Sequence, residues 1–374
     1  MKKLIGILCF IAVCIFLISV ICNGNNSDNQ NHFHTGSYTD YYYLTLDETE
    51  KEAYTAVRES ICDFPQKIET PTLSDEQLGN VLSALLYDNP MMFMFDSCTL
   101  TSSGNKAYFV PKYKMTEDEY YEYNRLINIE IEKIAKNAPV DEYELELYCH
   151  DYIVNNCKYT DTDAYYEDNA VGVFLERKAQ CSGYAEAFKI LMDRFGIECV
   201  LISGTATNYL QETDSHMWTA VKINGSWCYT DPTWDDPITD SDEESCQYVY
   251  FNMTEEMLRR SHRDFEFTEE CNSPSLYYYI KYKAYFDTCN EDTHSQISAL
   301  ISSAADIGNT SVTLMFASEQ AKSKAIDCLF NQEKIYRILE TASLASKKPL
   351  VTNKVRYLVL EGNNIITIYF EAKE

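Results

Sequence analysis

Hydrophobic positions recur at helical spacing soon after the first forty residues. Between Leu46 and about Asp63, the residues Ala53, Ala56, Val57, Ser60 and Ile61 fall on one side of a helix. Ser74-Asp75-Glu76-Gln77 has the form of a capping box and opens a second helix that runs to Tyr87, where Asn89-Pro90 ends it. Met91 to Phe95 and Lys106 to Tyr113 are expected as strands around the turn Ser102-Ser103-Gly104-Asn105, and Thr116 opens a long amphipathic helix that Pro139 closes. Glu142 to Asn155 is again helical. Ala179 to Phe195 forms a helix with Tyr184, Phe188, Leu191, Met192 and Phe195 on its inner face, stopped by Gly196. An apolar strand follows from Glu198 to Ser203. Met217 to Ile223 and Ser226 to Thr230 then flank Asn224-Gly225, a strong signal for a two-residue hairpin.

Beyond about Ser273 the pattern changes. Leu276 to Phe286 and Ser311 to Ala317 are expected as strands with a helix between them, and 318–346 is helical. Lys354 to Leu360 and Ile365 to Glu371 make a hairpin around Gly362-Asn363-Asn364. The chain therefore divides into an N-terminal α+β domain over 45–139, a central block over 140–265 and a C-terminal α+β domain over 273–374, the last in β-α-β-α-β-β order.

The start of the chain has a different character. Lys2 and Lys3 precede an uncharged run from Leu4 to Cys22. That run is longer than an ordinary secretory core, which is about 7–15 residues, and close to the roughly 20 that span a bilayer. No small-x-small cleavage site follows it. The expectation is an N-terminal membrane helix over 1–22, a single-pass anchor with the lysines inside and the domains exported. The alternative is a signal peptide and secretion after cleavage. Residues 23–44, rich in Asn, form a polar linker.

Charge narrows the function. With 31 Lys and Arg against 58 Asp and Glu, the formal charge is −27, which excludes the basic footprint that nucleic acid requires. Three of the 14 cysteines, Cys9, Cys14 and Cys22, lie in the apolar run, and an odd number remain. Outside the cell an odd count leaves at least one thiol unpaired within the chain. No CxxC or Cys/His spacing suggests zinc, so no metal site is expected. The acidic stretch Asp235, Asp236, Asp240, Asp242, Glu243, Glu244 lacks the glycine-punctuated spacing of a calcium loop and is expected to be solvated.

The hairpin supplies a geometric test for candidate chemistry. With a two-residue turn at Asn224-Gly225, Ile223 pairs with Ser226, which sets Trp218 opposite Asp231 and His216 opposite Thr233. His216 and Asp231 are then diagonal neighbours on one face, about 7–8 Å apart at Cα, where side chains of this size can meet. Pro232 cannot donate to the ladder and marks its end. Cys181 opens the helix at Ala179-Gln180-Cys181-Ser182-Gly183-Tyr184-Ala185. A helix N-terminus favours a thiolate and offers N–H groups to a developing oxyanion. Cys181 as nucleophile, His216 as base and Asp231 as its orienter form a complete set. Gln180 is a candidate oxyanion donor, and Trp218 and Trp234 are candidate cleft or substrate-stacking aromatics. His150, beside Cys149, has no orienting acid at a telling spacing and is expected to be structural.

These residues resemble the core of the transglutaminase-like superfamily, related in architecture to papain-type cysteine peptidases. The resemblance rests on Ala179 to Ala185, on His216-Met217-Trp218, on Tyr229-Thr230-Asp231-Pro232-Thr233-Trp234-Asp235 and on Asn169-Ala170-Val171-Gly172-Val173-Phe174. It covers about a third of the chain; the flanking regions resemble those of bacterial exported members. It implies an α+β fold with a papain-like core, and it gives Cys181, His216 and Asp231 the same roles that the hairpin does. It implies thiol acyl transfer on peptide or protein amides, hydrolytic or amine-accepting, with no cofactor required. Some members bind calcium. From location, cell-wall peptides or surface proteins are the expected substrates. The alternative is an inactive member serving as a binding or adhesion module at the cell surface.

Overall fold

The computed structural model describes residues 40–162, 164, 166–236, 247–359 and 362–373. Its architecture is α+β. Helices α1 (Glu48–Ser60) and α2 (Asp75–Asp88) lie with an antiparallel sheet of β1 (Ile68–Thr70), β2 (Phe95–Ser103) and β3 (Lys106–Tyr113) in the order β1-β3-β2. Helix α3 (Glu117–Ala135) follows. The start of each helix is written in its sequence. Asp47 with Glu50, Ser74 with Gln77 and Thr116 with Glu119 each close a capping box. Each satisfies backbone N–H groups that a helix end leaves without partners.

The strand expected over Met91 to Phe95 is not formed before Phe95. Met92 N donates to Asn89 O (2.9 Å) and Phe95 N to Met92 O (3.0 Å), so the apolar run is folded into turns that bury Met92, Phe93 and Met94. A short apolar run packs equally well as a buried turn, and period alone does not separate the two. The end of the expected polar linker also differs. A helical turn, Tyr41–Thr45, is held by Asp88, which accepts from Tyr42 N (3.2 Å) and Tyr43 N (2.8 Å), and Tyr42 Oη donates to Leu201 O (2.6 Å).

The central region carries helix α4 (Glu142–Asn156), a short parallel pair of β4 (Lys158–Tyr159) with β5 (Lys178–Ala179), and helix α5 (Cys181–Phe195). Strands β6 (Cys199–Thr207), β7 (Thr213–Ile223), β8 (Ser226–Thr230) and β9 (His262–Arg263) form an antiparallel sheet in the order β8-β7-β6-β9. Ile223 pairs with Ser226, and Asn224 and Gly225 have φ 50° and 80°, as a type I′ turn requires. The β7–β8 ladder stops at Thr219 and Thr230, before Pro232. Gly196, at φ 78°, closes α5, with Ile197 N donating to Met192 O (3.0 Å). Helix α5 packs along β6 and β7. Buried Lys189 ties it down by donating to Cys199 O (2.9 Å) while paired with Asp193 (3.0 Å). The helix begins at Cys181, not at Ala179, because Ala179 is held in β5 opposite Tyr159.

The C-terminal region runs β10 (Tyr285–Phe286), α6 (Glu291–Ile307), β11 (Ser311–Phe316), α7 (Glu319–Ile326), α8 (Lys334–Ala345), β12 (Arg356–Val359) and β13 (Ile365–Tyr369). Its sheet order is β10-β11-β13-β12. The strand expected over Leu276 to Phe286 is mostly helical turn, Pro274–Leu276 and Tyr278–Lys281, and only Tyr285–Phe286 pairs. Tyr277 and Tyr279 are instead buried in one apolar cluster with Val200, Trp218, Tyr229 and Met315, so aromatic burial overrides strand preference.

The expected membrane helix over Leu4 to Cys22, and the linker up to residue 39, lie outside the described residues. Among the described residues no helix is long and apolar enough to cross a membrane. Asp240, Asp242, Glu243 and Glu244 also lie outside them.

Candidate active site

Cys181 is the first residue of α5. Its N-cap, Gln180, is extended (φ −87°, ψ 178°) and makes no side-chain cap, so the first-turn N–H groups at the positive end of the helix have no side-chain acceptor there. Gln180 is itself engaged: its backbone N–H donates to Glu167 O (2.7 Å) and its Nε2 to Thr162 O (3.4 Å). Gly183 lets the preceding chain approach. A Cβ there would stand 2.8 Å from both Ala179 Cβ and Asn169 O.

His216 and Asp231 meet as the hairpin register implies. His216 Nε2 lies 2.8 Å from Asp231 Oδ2, and Asp231 has no exposed surface. The carboxylate is held from its other oxygen as well, since Oδ1 accepts from Thr233 N (3.1 Å) and Trp234 N (3.4 Å). Asp231 N–H donates to Tyr250 O (2.9 Å) instead of joining the β7 ladder. With Nε2 taken by Asp231, Nδ1 is the ring nitrogen left to serve the Cys181 thiol, whose pKa His216 lowers.

The electrostatics of the three groups reinforce one another. Burial alone would raise the Cys181 pKa, but the hydrogen bond and charge of His216, with the Met217 N–H, bring it below the ordinary thiol value. Burial would lower His216, yet the charge and hydrogen bond of Asp231, with those of Cys181, raise it to about 10. Burial opposes ionisation of Asp231 too. His216 and His262 outweigh it and hold the carboxyl well below the usual carboxylate range. The arrangement favours a thiolate facing an imidazolium, the reactive form of a cysteine nucleophile.

His262 joins this site without any sequence signal. It is fully buried on β9, with Nε2 3.3 Å from Asp231 Oδ2 and Nδ1 2.9 Å from Ser261 Oγ. Burial lowers its pKa, so the ring is neutral. An ionised carboxylate only accepts, so the single N–H of His262 sits on Nε2 and points at Asp231. Gly204, opposite His216 in the β6–β7 pair, makes room for β9: a Cβ there would collide with Arg263 O and stand 2.9 Å from Trp218 Cη2.

The two candidate tryptophans separate. Trp218 is fully buried between His216 (ring centroids 6.0 Å), His262 (4.7 Å) and Phe265 (5.1 Å), and offers a substrate no face. Trp234 is half-buried and lies against His216 at 5.3 Å, as part of the wall of the site. His150 does have an acid partner, contrary to the sequence expectation: its Nε2 lies 3.2 Å from Asp235 Oδ2, with both side chains buried. Asp235 Oδ1 also accepts from Tyr250 N (2.9 Å), and Asp236 accepts from Tyr184 Oη (2.5 Å). These two members of the acidic stretch thus face the protein, not a solvated loop. His216, Asp231 and His262 bring ligand-type atoms within 4.8 Å of one another. Both imidazole nitrogens contact the same carboxylate oxygen, the geometry of a hydrogen-bonded trio.

A family model described as the transglutaminase-like superfamily matches residues 132–232, from the end of α3 to just beyond Asp231. The mouse kyphoscoliosis peptidase is 25% identical over 111 residues, 27% of this chain and 16% of that protein. The human kyphoscoliosis peptidase is 25% identical over 85 residues, 21% of this chain and 13% of that protein. The matches thus span less than a fifth of these relatives' length. Among solved structures, one described as a TGase shares 14% identity over 48% of this chain and 53% of its own, with a TM-score of 0.28. A putative cysteine protease from Cytophaga hutchinsonii shares 16% identity over 37% of this chain and 61% of its own, with a TM-score of 0.25. The chain carries, at residues 132–232, a domain of the transglutaminase-like superfamily.

Proposed function

We propose that this protein is a thiol acyl-transfer enzyme acting on peptide or protein amides. The observation that carries the reading is the 2.8 Å contact of His216 with a buried Asp231, beside a Cys181 thiol whose pKa His216 lowers. In the first step Cys181 Sγ attacks the amide carbonyl carbon, and the C–S bond forms. The oxyanion accepts from first-turn N–H groups of α5, each such donor being worth about 10²–10³ in rate. His216 then gives its Nδ1 proton to the leaving nitrogen as the C–N bond breaks, leaving a thioester and a free amine. Water or a second amine attacks the thioester, His216 takes the proton, and the thiolate departs. Asp231 keeps the ring aligned and its charge balanced throughout.

Hydrolysis is the first reading, because the curated relatives are named peptidases. With Leu4 to Cys22 as an export anchor, the site faces outward, and cell-wall peptides or surface proteins are the substrates within reach. The test is incubation of the purified chain with a peptide library, with and without a primary amine, using C181A as the control. New termini that C181A abolishes support hydrolysis, and incorporated amine supports transfer. Peptide binding that C181A retains, with no turnover in either protein, would replace the enzyme by a binding module.

A further inference from the structure

The C-terminal region gathers two thiols and an imidazole that the acyl-transfer reading does not use. Cys289 stands just before α6, whose N-cap is Asn290, and His294 lies in the first turn of that helix. Cys328 comes from the wide helical turn Asp327–Asn331 that follows α7. His294 Nε2 is 3.5 Å from Cys289 Sγ and 3.3 Å from Cys328 Sγ, and the three ligand atoms all lie within 4.8 Å of one another. A tetrahedral zinc ion, with Zn–S about 2.3 Å and Zn–N about 2.0–2.1 Å, sets N···S edges of about 3.6 Å. Both observed N···S edges are within about 0.3 Å of that length.

The surroundings fit such an ion. Asn290 Oδ1 accepts from Thr293 N (3.0 Å) and Thr293 Oγ1 donates to Thr288 O (3.0 Å), which fixes the backbone on both sides of Cys289. All three ligand residues are half-buried, shielded from bulk water yet reachable. The second nitrogen of His294 faces Glu291, with Nδ1 3.9 Å from the carboxylate. A single water there would complete the carboxylate–imidazole relay that orients ligating histidines. Asp287, Thr288, Ser318, Gln320 and Lys324 line a cavity that also reaches Cys289, which opens this ligand to water.

We propose that Cys289, His294 and Cys328 form a zinc(II) site with water as the fourth ligand. Two thiolates and one imidazole are a soft set that selects zinc over calcium or magnesium. Binding breaks two S–H bonds, makes two Zn–S bonds and releases two protons. Because each thiol gives up its proton on binding, zinc affinity climbs with pH. The sequence hides the site because its two cysteines are 39 residues apart and form no short motif.

The test uses the full chain carrying C181A, so that the thiol of the candidate active site does not contribute. The reduced, metal-depleted protein is titrated with zinc chloride against a competing chelator, with the metal counted by mass spectrometry. One zinc per chain is expected. C289S, C328S and H294Q are each expected to weaken binding by about a hundredfold, E291Q by about tenfold, and H216A to leave it unchanged. Cobalt(II) should give a sulfur-to-metal charge-transfer band that C289S weakens and the C289S/C328S double variant removes. The isosteric H294Q keeps the test decisive if a cysteine variant does not fold. Less than one zinc per chain, binding indifferent to C289S and H294Q, or a Cys289–Cys328 disulfide in the protein as isolated would each overturn the site.

Discussion

At the scale of single residues, Asp231 is the shared partner of two rings. The charged one, His216, faces the thiol; the neutral one, His262, holds the carboxylate from behind. A hydrogen bond to a charged group contributes about 1.5–3 kcal/mol, so H262A is expected to lower kcat by about tenfold or more while leaving KM nearly unchanged. H262Q, which can still donate, should recover part of that loss. As a positioning residue, His262 should also move the pH profile of Cys181 alkylation upward when removed; an unmoved profile in H262A would reduce it to a packing residue. His216 and Asp231 were legible because the Asn224-Gly225 turn fixes their register. His262 was not, because it reaches the site on a two-residue strand whose neighbour, β6, is set by tertiary packing.

At the scale of elements, caps and turns carried most of what the sequence revealed. Asp47, Ser74 and Thr116 begin their helices and Gly196 ends α5. Apolar runs were less informative. Met91 to Phe95 and the tyrosines from Tyr277 to Tyr279 have strand-like composition, but they satisfy their backbone groups in local turns while burying side chains. Gly183 tests how tightly the chain around α5 is packed. Gly183→Ala would press a methyl against Asn169 O and Ala179 Cβ, both at 2.8 Å. Overpacking of this kind costs about 1–3 kcal/mol. Urea unfolding should show that loss, with activity per folded molecule reduced as Cys181 is pushed out of line. Unchanged stability would mean that the 166–172 segment yields freely.

At the scale of the whole molecule, buried carboxylates set the pH response. Burial raises Asp88 to about 7 and Glu146 to about 8, although Glu146 accepts from Thr230 Oγ1 and Asn252 Nδ2. In the unfolded chain both lose their protons near pH 4. Between about pH 4 and 8 the folded state therefore binds more protons than the unfolded one, and stability falls as pH rises. Asp231 has the opposite sign: its depressed pKa gives stability that is present above about pH 4 and lost on acidification. Cys181, shifted down, and His216, shifted up, pull against each other. Thermal unfolding should thus show the highest Tm near pH 5 and a decline toward pH 8.5. Glu146→Gln should flatten that decline; a wild-type Tm that climbs across the same range would refute the assignment. The charge of −27 adds self-repulsion at neutral pH, so salt should raise Tm there.

The proposed chemistry depends on Cys181 acting as a nucleophile activated by His216 and Asp231. Its most direct test is the rate of Cys181 alkylation by iodoacetamide across pH, followed by peptide mass spectrometry in the wild type and in H216A. The wild-type rate is expected to stay high well below pH 8.5, the ordinary thiol value, and the H216A rate to return to ordinary thiol behaviour. A wild-type profile that already titrates near pH 8.5, and that H216A leaves in place, would contradict that activation.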